Sequence, residues 1–444
     1  MFALKELTIE RKIFRRRKKV RLRNLRGHRD IILIKKGDIV RHASKVISFL
    51  VEHGNPDTIT TKKLLVPNHL CFKTNFKECV NFLEKVVLTY CMIKGHIIID
   101  FSKCIDVSVS ALVSLKTMLD ELDTFGKKIA RSRFRETSKS IKIIPSNSAK
   151  VNRHLHALGF ANLPVSEDEQ KEYLVLGLMR GKSRNYRENR KAVVSHKVTE
   201  FVENTAERFG VGFDERGQNY MEGMVGEILS NAEDHSLRKS EWFVDGVSFL
   251  HEEENNEVIE FNLVIINYGD SMYEGFELTK DDNHLLYDKL DSLYKKHCNL
   301  FSLFNSFERE SLFVLYMLNE GISRIKFLES SRGNGTMNFI KSFIELGKFC
   351  NEDSKYKPEL NIVSGHTVLT CTEEYAPFKD GNHYKLTLNS SQSFEDLPDS
   401  SVLKYFKGAS FPGTILDCKI FLNKRDLEKN IQQNEEAQTL TQQN

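Results

Sequence analysis

Residues 221 to 236 constrain this chain more than any other stretch. They read MEGMVGEILSNAEDHS. Met221, Met224, Val225, Ile228, Leu229 and Ala232 recur at spacings of three and four, which predicts an amphipathic helix laying that stripe on a core. A second stripe is polar. Glu227, Asn231 and Asp234 project from one side of the helix, with His235 beside them. Such a stripe is also the ordinary outer face of a surface helix. A carboxylate one turn before a carboxamide can, however, present a water-activating base and a metal ligand to one small volume. Partners elsewhere in the chain decide between the two readings.

The chain has 444 residues, enough for two or three domains, and its eight cysteines are scattered without a CxxC pair or a histidine cluster. That spacing argues against a zinc site or a disulfide framework and for reduced thiols in a cytosol. No apolar run approaches the ~18–20 residues that span a bilayer, so the expectation is a cytoplasmic protein with no membrane partner. Charge is uneven. Residues 1–30 hold twelve Lys or Arg against Glu6, Glu10 and Asp30, while the whole chain is only +4. The basic arm, densest over 11–29, could hold nucleic acid phosphates or an acidic partner; a solvated basic face is the plainer alternative.

Asp30 to Ile34 reads as a strand, His42 to His53 as a short helix and Asn75 to Tyr90 as a longer one. HIIIDF after Gly95 suits a buried strand. Ser108 is placed to cap a helix carrying Ala111, Leu112, Leu115, Met118, Leu119 and Leu122, with Gly126 as its stop. Ile141 to Ile144 reads as a further strand and Ala149 to Gly159 as a helix. From IIIDFSKCIDVSVSALVSL onward, residues 31–165 resemble a STAS domain, the fold of bacterial anti-sigma-factor antagonists. The resemblance implies a small α/β domain. Phosphorylatable members place Ser or Thr directly after the turn aspartate, whereas Val107 follows Asp106 here, so a docking role is the expectation.

Residues 166–190 are polar, then basic, and read as a linker with a short apolar run from Tyr173 to Met179. A helix is expected from Ala192 to Phe209. After the 221–236 helix, Glu257 to Ile266 is a long strand ending in Asn267-Tyr268-Gly269-Asp270-Ser271-Met272. Two helices are expected at Leu285–His297 and Glu308–Glu320. Ser330-Ser331-Arg332-Gly333-Asn334-Gly335-Thr336 then opens an apolar helix, and a glycine-rich loop at a helix start aims free N–H groups at an anion. Finally Ala409 to Thr414 leads into a strand, Ile415 to Leu422, and residues 426–444 are a polar tail.

Helix with Glu-x-x-x-Asn, strand ending in a glycine turn, GxG loop opening a helix, and a terminal Gly-Thr strand: in that order, residues 191–425 resemble the GHKL ATP-binding fold of gyrase, heat-shock chaperones and histidine kinases. The resemblance implies an α/β sandwich, a mixed sheet covered by helices, with a helical insertion at about 273–330. It implies ATP and Mg²⁺ as ligands. Asn231 would ligate the metal and Glu227 would polarise the attacking water. Gly269 would admit the adenine edge, Gly333 and Gly335 would wrap the phosphates with Arg332, Asn334 and Thr336 alongside, and Thr414 would help hold the base. Asn267 stands where the family usually has aspartate, and Ser271 replaces the second glycine of that turn, beside Met272. Arg324 reads as a phosphate contact or a surface ion pair, and His235 as a site residue or a packed helix-face histidine.

The expected function is a bacterial signalling protein: an ATPase whose nucleotide state switches conformation or association with a protein partner or a second copy. An anti-sigma-type protein serine kinase, or a nucleotide-sensing scaffold whose basic arm binds nucleic acid, are the alternatives.

Overall fold

The computed structural model describes residues 61–92, 96–133, 140–160, 172–182, 190–212, 215–234, 241–253, 256–281, 284–300, 307–319, 335–350, 356–381 and 383–429, with Ile47, Leu50, Val51 and Gln432. The strand expected at Asp30–Ile34, the basic arm and most of the tail lie outside these residues. The chain forms two compact units. One comprises the chain up to Val66, Leu83–Phe101 and Met118–Ile144; the other comprises Pro67–Phe82, Ser102–Thr117 and everything from Pro145.

The first elements in order are β1 (Lys63–Leu65), β2 (His69–Leu70), α1 (Phe72–Met92), β3 (Ile97–Asp100), β4 (Asp106–Val107), α2 (Val109–Arg133), β5 (Ile141–Ile144) and α3 (Ala149–Ala157). In the first unit β1, β3 and β5 make a parallel sheet, with β3 central. Ile97 and Ile99 of β3 are buried, as a continuous apolar run predicts. The buried Asp100 is met by Lys63 at 2.6 Å, which relieves the cost of an isolated carboxylate. Ser108 caps α2 as expected, accepting the Ala111 amide at 3.2 Å. Gly126 does not end that helix, which runs on to Arg133. A Cβ at 126 would strike the Tyr90 hydroxyl, so this glycine serves a close approach rather than a stop.

The second unit continues with β6 (Tyr173–Val175), β7 (Met179–Lys182), α4 (Arg190–Glu207), α5 (Glu215–Asp234), β8 (Glu241–Glu253), β9 (Asn256–Tyr268), α6 (Met272–Glu277), α7 (His284–Leu300), α8 (Arg309–Met317), α9 (Gly335–Cys350), β10 (Glu359–Gly365), β11 (Thr367–Cys371), β12 (Phe378–Asp380), β13 (His383–Lys385), β14 (Leu403–Tyr405) and β15 (Phe411–Asn423). Its main sheet has eight strands in the order β14-β11-β10-β15-β9-β8-β6, with β7 also paired to β8. Strands β6 and β7 come from the stretch read as a linker. Every described pairing in this sheet is antiparallel, which corrects the expectation of a mixed sheet. The reason is local: β8 runs into β9, and β10 into β11, through links far too short for a parallel crossover.

One face of this sheet carries Trp242, Val244, Phe261, Leu263, Ile265 and Ile362. Against it pack Val194, Val198 and Phe201 of α4, Val225, Ile228 and Leu229 of α5, and Met337, Ile340 and Phe343 of α9. Met221, Met224 and Ala232 join at the edge of that core, so the whole predicted stripe faces inward. In the stretch expected to be a helical insertion, α6, α7 and α8 are packed helices. Phe276 stacks on Tyr287 at 5.8 Å, Arg309 meets Asp291 at 2.9 Å, and Asn319 bonds the Leu386 amide and carbonyl at 2.7 and 3.2 Å. Among the described residues no helix is long and apolar enough to cross a membrane.

The other face is met by the first turns of α2. Ser110 Oγ donates to Asp417 Oδ2 at 2.6 Å, Lys116 Nζ to Asp245 Oδ2 at 2.8 Å, and the Thr117 and Tyr268 hydroxyls lie 2.6 Å apart. Asp417 keeps some solvent contact, yet burial in dense protein pushes its carboxyl from 3.8 up to about 6 against the pull of Ser110. Between those two values the folded chain holds a proton that the unfolded chain has released, so stability falls as pH rises through the window. Asp417→Asn keeps an acceptor for Ser110 and removes this cost. Thermal melts are expected to show a gain on the order of 2 kcal/mol at neutral pH that disappears near pH ~4; an equal gain at both would remove the titration from the account.

Candidate functional site

Four segments far apart in sequence meet beside the C-terminal half of α5. Helical period turns Val225, Ile228 and Leu229 to the sheet, which leaves Glu227 exposed and Asn231 half-buried on an adjoining side. The first turn of α9 arrives there. Gly335 is buried directly against the Glu227 carboxyl group, and a Cβ at 335 would run into it. One helical turn along, Asn231 Nδ2 lies 3.2 Å from Thr336 Oγ1. The Glu227 carboxylate thus sits at the N-terminus of α9, where unpaired N–H groups and the helix dipole favour negative charge.

The end of β9 supplies the third segment. Asn267 is buried, and its Nδ2 donates to the Ala232 carbonyl of α5 at 2.8 Å. That bond fixes the amide, leaving Oδ1 buried with no hydrogen-bond partner among the described residues. A buried acceptor without a donor is costly, and a ligand N–H is one way to satisfy it. The fourth segment is β15, whose Thr414 is the cross-strand partner of Asn267. Gly413 before it has φ +133°, and a Cβ there would run into the Asn267 carbonyl, so a side chain is excluded by both conformation and space. Thr414 Oγ1 lies 3.0 Å from Ser364 Oγ of β10.

Other candidates fall differently. Gly269 has φ +151°, and its amide reaches the Pro412 carbonyl at 3.3 Å, which fastens the turn to β15. Ser271 builds the turn rather than lining a pocket: its hydroxyl accepts the Glu274 amide at 3.2 Å, and the Glu274 carboxylate returns to the Ser271 amide at 2.8 Å. The Met272 amide is taken by Ser364 Oγ at 2.8 Å. Asp234 ends α5 with its side chain outside the described residues, as are His235, Arg324, Arg332, Gly333 and Asn334 entirely. Ser364 is a member that sequence reading missed; the apolar run ELNIVSG between Pro358 and His366 was the available signal for its strand.

Among the described residues no group of three or more His, Cys, Asp and Glu could hold a metal by itself. A divalent cation here would rest on Asn231 and on oxygens of its co-ligand. Magnesium is commonly held that way, by one or two protein groups plus phosphates and water. Compared with protein-family models, with curated proteins and with solved structures, the chain matches none.

Proposed function

We propose that the chain binds ATP with magnesium between α5, α9 and the ends of β9 and β15, and hydrolyses it to switch conformation or association with a protein partner. The observation that carries this reading is the meeting of Glu227 and Asn231 with Gly335 and Thr336, above an unsatisfied Asn267 Oδ1. The residues present fit the ligand. The Asn267 oxygen can accept from the adenine amino group, and the amide is held for that by Ala232. Guanine places an oxygen at the same edge and would meet acceptor with acceptor, so selectivity for adenine follows.

The Gly335 and Thr336 amides, at the start of a 16-residue helix, can hold phosphate oxygens. Asn231 would give its carboxamide oxygen to magnesium, which supplies charge neutralisation for phosphoryl transfer. Glu227 then orients water and takes its proton at a carboxylate oxygen. Because that carboxylate lies on the helix terminus that phosphates would use, nucleotide entry has to displace it sideways.

A kinase acting on its own N-terminal serines is disfavoured by particular bonds. Ser108 is engaged as the cap of α2, and Ser110 is fully buried on Asp417. The test is one titration series: ATP and GTP, with and without magnesium, on the wild type, Asn231→Ala and Asn267→Ala, reading binding and phosphate release. Asn267→Ala is expected to weaken ATP about tenfold and to erase the preference over GTP. Asn231→Ala is expected to remove the magnesium dependence. Wild-type protein that binds neither nucleotide would end this reading.

A further inference from the structure

Ser364 of β10 pairs with Thr367 of β11, so Gly365 and His366 alone link the two strands. Gly365 has φ +57°, a conformation that glycine supplies at the first central position of so short a link. The ladder between β10 and β15 slips at the same place: Ser364 pairs with Thr414, but Gly365 pairs with Phe411. Such an irregularity interrupts the regular bonds between strands, so the ladder alone does not set where this corner stands beside Thr414.

Glu310, in the first turn of α8, holds the corner. Its Oε1 accepts the His366 amide at 2.7 Å. The approach is close: a Cβ on Gly365 would stand 2.4 Å from that oxygen and 3.1 Å from Ser271 Oγ. A carboxylate is a strong acceptor for a backbone N–H. From the corner two routes lead to β15. Ser364 Oγ takes the Met272 amide at 2.8 Å and lies 3.0 Å from Thr414 Oγ1. A carbonyl can only accept, so His366 Nδ1 donates to that of Ala409, at 2.7 Å and two residues before the strand begins. We propose that Glu310 is a positioning residue of the nucleotide site, holding the β10–β11 corner and, through Ser364 and His366, the Thr414 end of β15 beside which the base would lie. The proposal rests on the nucleotide reading above and ties that site to the helices α6 and α8.

The experiment titrates the full chain with ATP, adenosine and tripolyphosphate and measures phosphate release from ATP, for the wild type, Glu310→Ala and Glu310→Gln. Glu310→Ala is expected to weaken ATP and adenosine about tenfold each, through loss of a bond to a charged group. Tripolyphosphate affinity and kcat are expected to stay within about twofold, because the base end alone is disturbed. Glu310→Gln keeps an oxygen that accepts from His366 and is expected to restore ATP affinity to within about threefold of the wild type. Partial unfolding does not imitate this pattern, since it lowers the number of sites and leaves their affinity in place. Should Glu310→Ala fail to fold, wild type labelled with nitrogen-15 histidine gives a second reading. Its His366 amide signal, assigned through His366→Gln, is expected to move on adding adenosine and to stay on adding tripolyphosphate. A folded Glu310→Ala with wild-type affinity, equal losses for adenosine and tripolyphosphate, a Glu310→Gln as impaired as the alanine variant, or a His366 signal indifferent to adenosine overturns the proposal and leaves the nucleotide reading standing. Wild-type protein that binds neither ATP nor adenosine ends both.

Discussion

Replacing Glu227 by Gln is expected to lower phosphate release from ATP by about 10²–10⁴-fold while ATP affinity holds or rises. The carboxamide has the same shape, so packing against Gly335 is kept. It cannot take a proton from water, and that loss is confined to the chemical step. Affinity follows a separate argument. In the wild type a carboxylate lies at the N-terminus of α9, where it gains roughly 0.3–1 kcal/mol from the helix terminus and repels incoming phosphate. The neutral variant removes that competition. Because Glu227 is exposed, its substitution leaves the core untouched, and melting temperature serves as the control. Hydrolysis at the wild-type rate would show that Glu227 is not the base, and the neighbouring carboxylates of α5 would need testing in turn.

How much of this was legible beforehand depended on whether a signal was local. The α5 stripe, the β3 run and the helices α7 and α8 follow from periodicity within one element, and they formed as expected. Strand β8 did not announce itself. Asp245 and Gly246 interrupt its apolar run, and Asp245 is tolerated inside because Lys116 reaches it from 129 residues away. The role of Ser271 was readable in principle: Ser271 and Glu274 have the S-x-x-E spacing of a capping box, which overlaps the glycine pattern of the turn. For Asn267 the sequence could offer an amide but not its orientation. The Ala232 carbonyl, supplied by another element, decides which end of the amide is left without a partner among the described residues. Partners contributed by folding, rather than residue types, were the missing information.

Lys116→Met is expected to destabilise the protein by about 3–5 kcal/mol at neutral pH, the largest effect expected for a residue outside the proposed nucleotide site. Asp245 has no exposed side-chain surface, and Lys116 is its ionic partner. Burial already holds its carboxyl above the usual range, with Lys116 and the Gly246 amide pulling the other way. Without Lys116 the folded pKa climbs further, so the folded state binds a proton over a wider span of pH than the unfolded chain. The loss is therefore greatest at neutral pH and shrinks as pH falls. Adding Asp245→Asn to Lys116→Met removes the stranded charge while an amide oxygen can still accept from Gly246, 2.9 Å away in the wild type. The double variant is expected to recover most of the stability, since an apolar and neutral pair often matches a buried ionic one. Urea melts of the four proteins at two pH values measure both the coupling and its sign. If the single variant were no less stable at neutral pH than under acid conditions, Asp245 would not be carrying charge in the fold, and the bonds of Ser110, Ser114 and Thr117 would be what ties the first turns of α2 to the sheet.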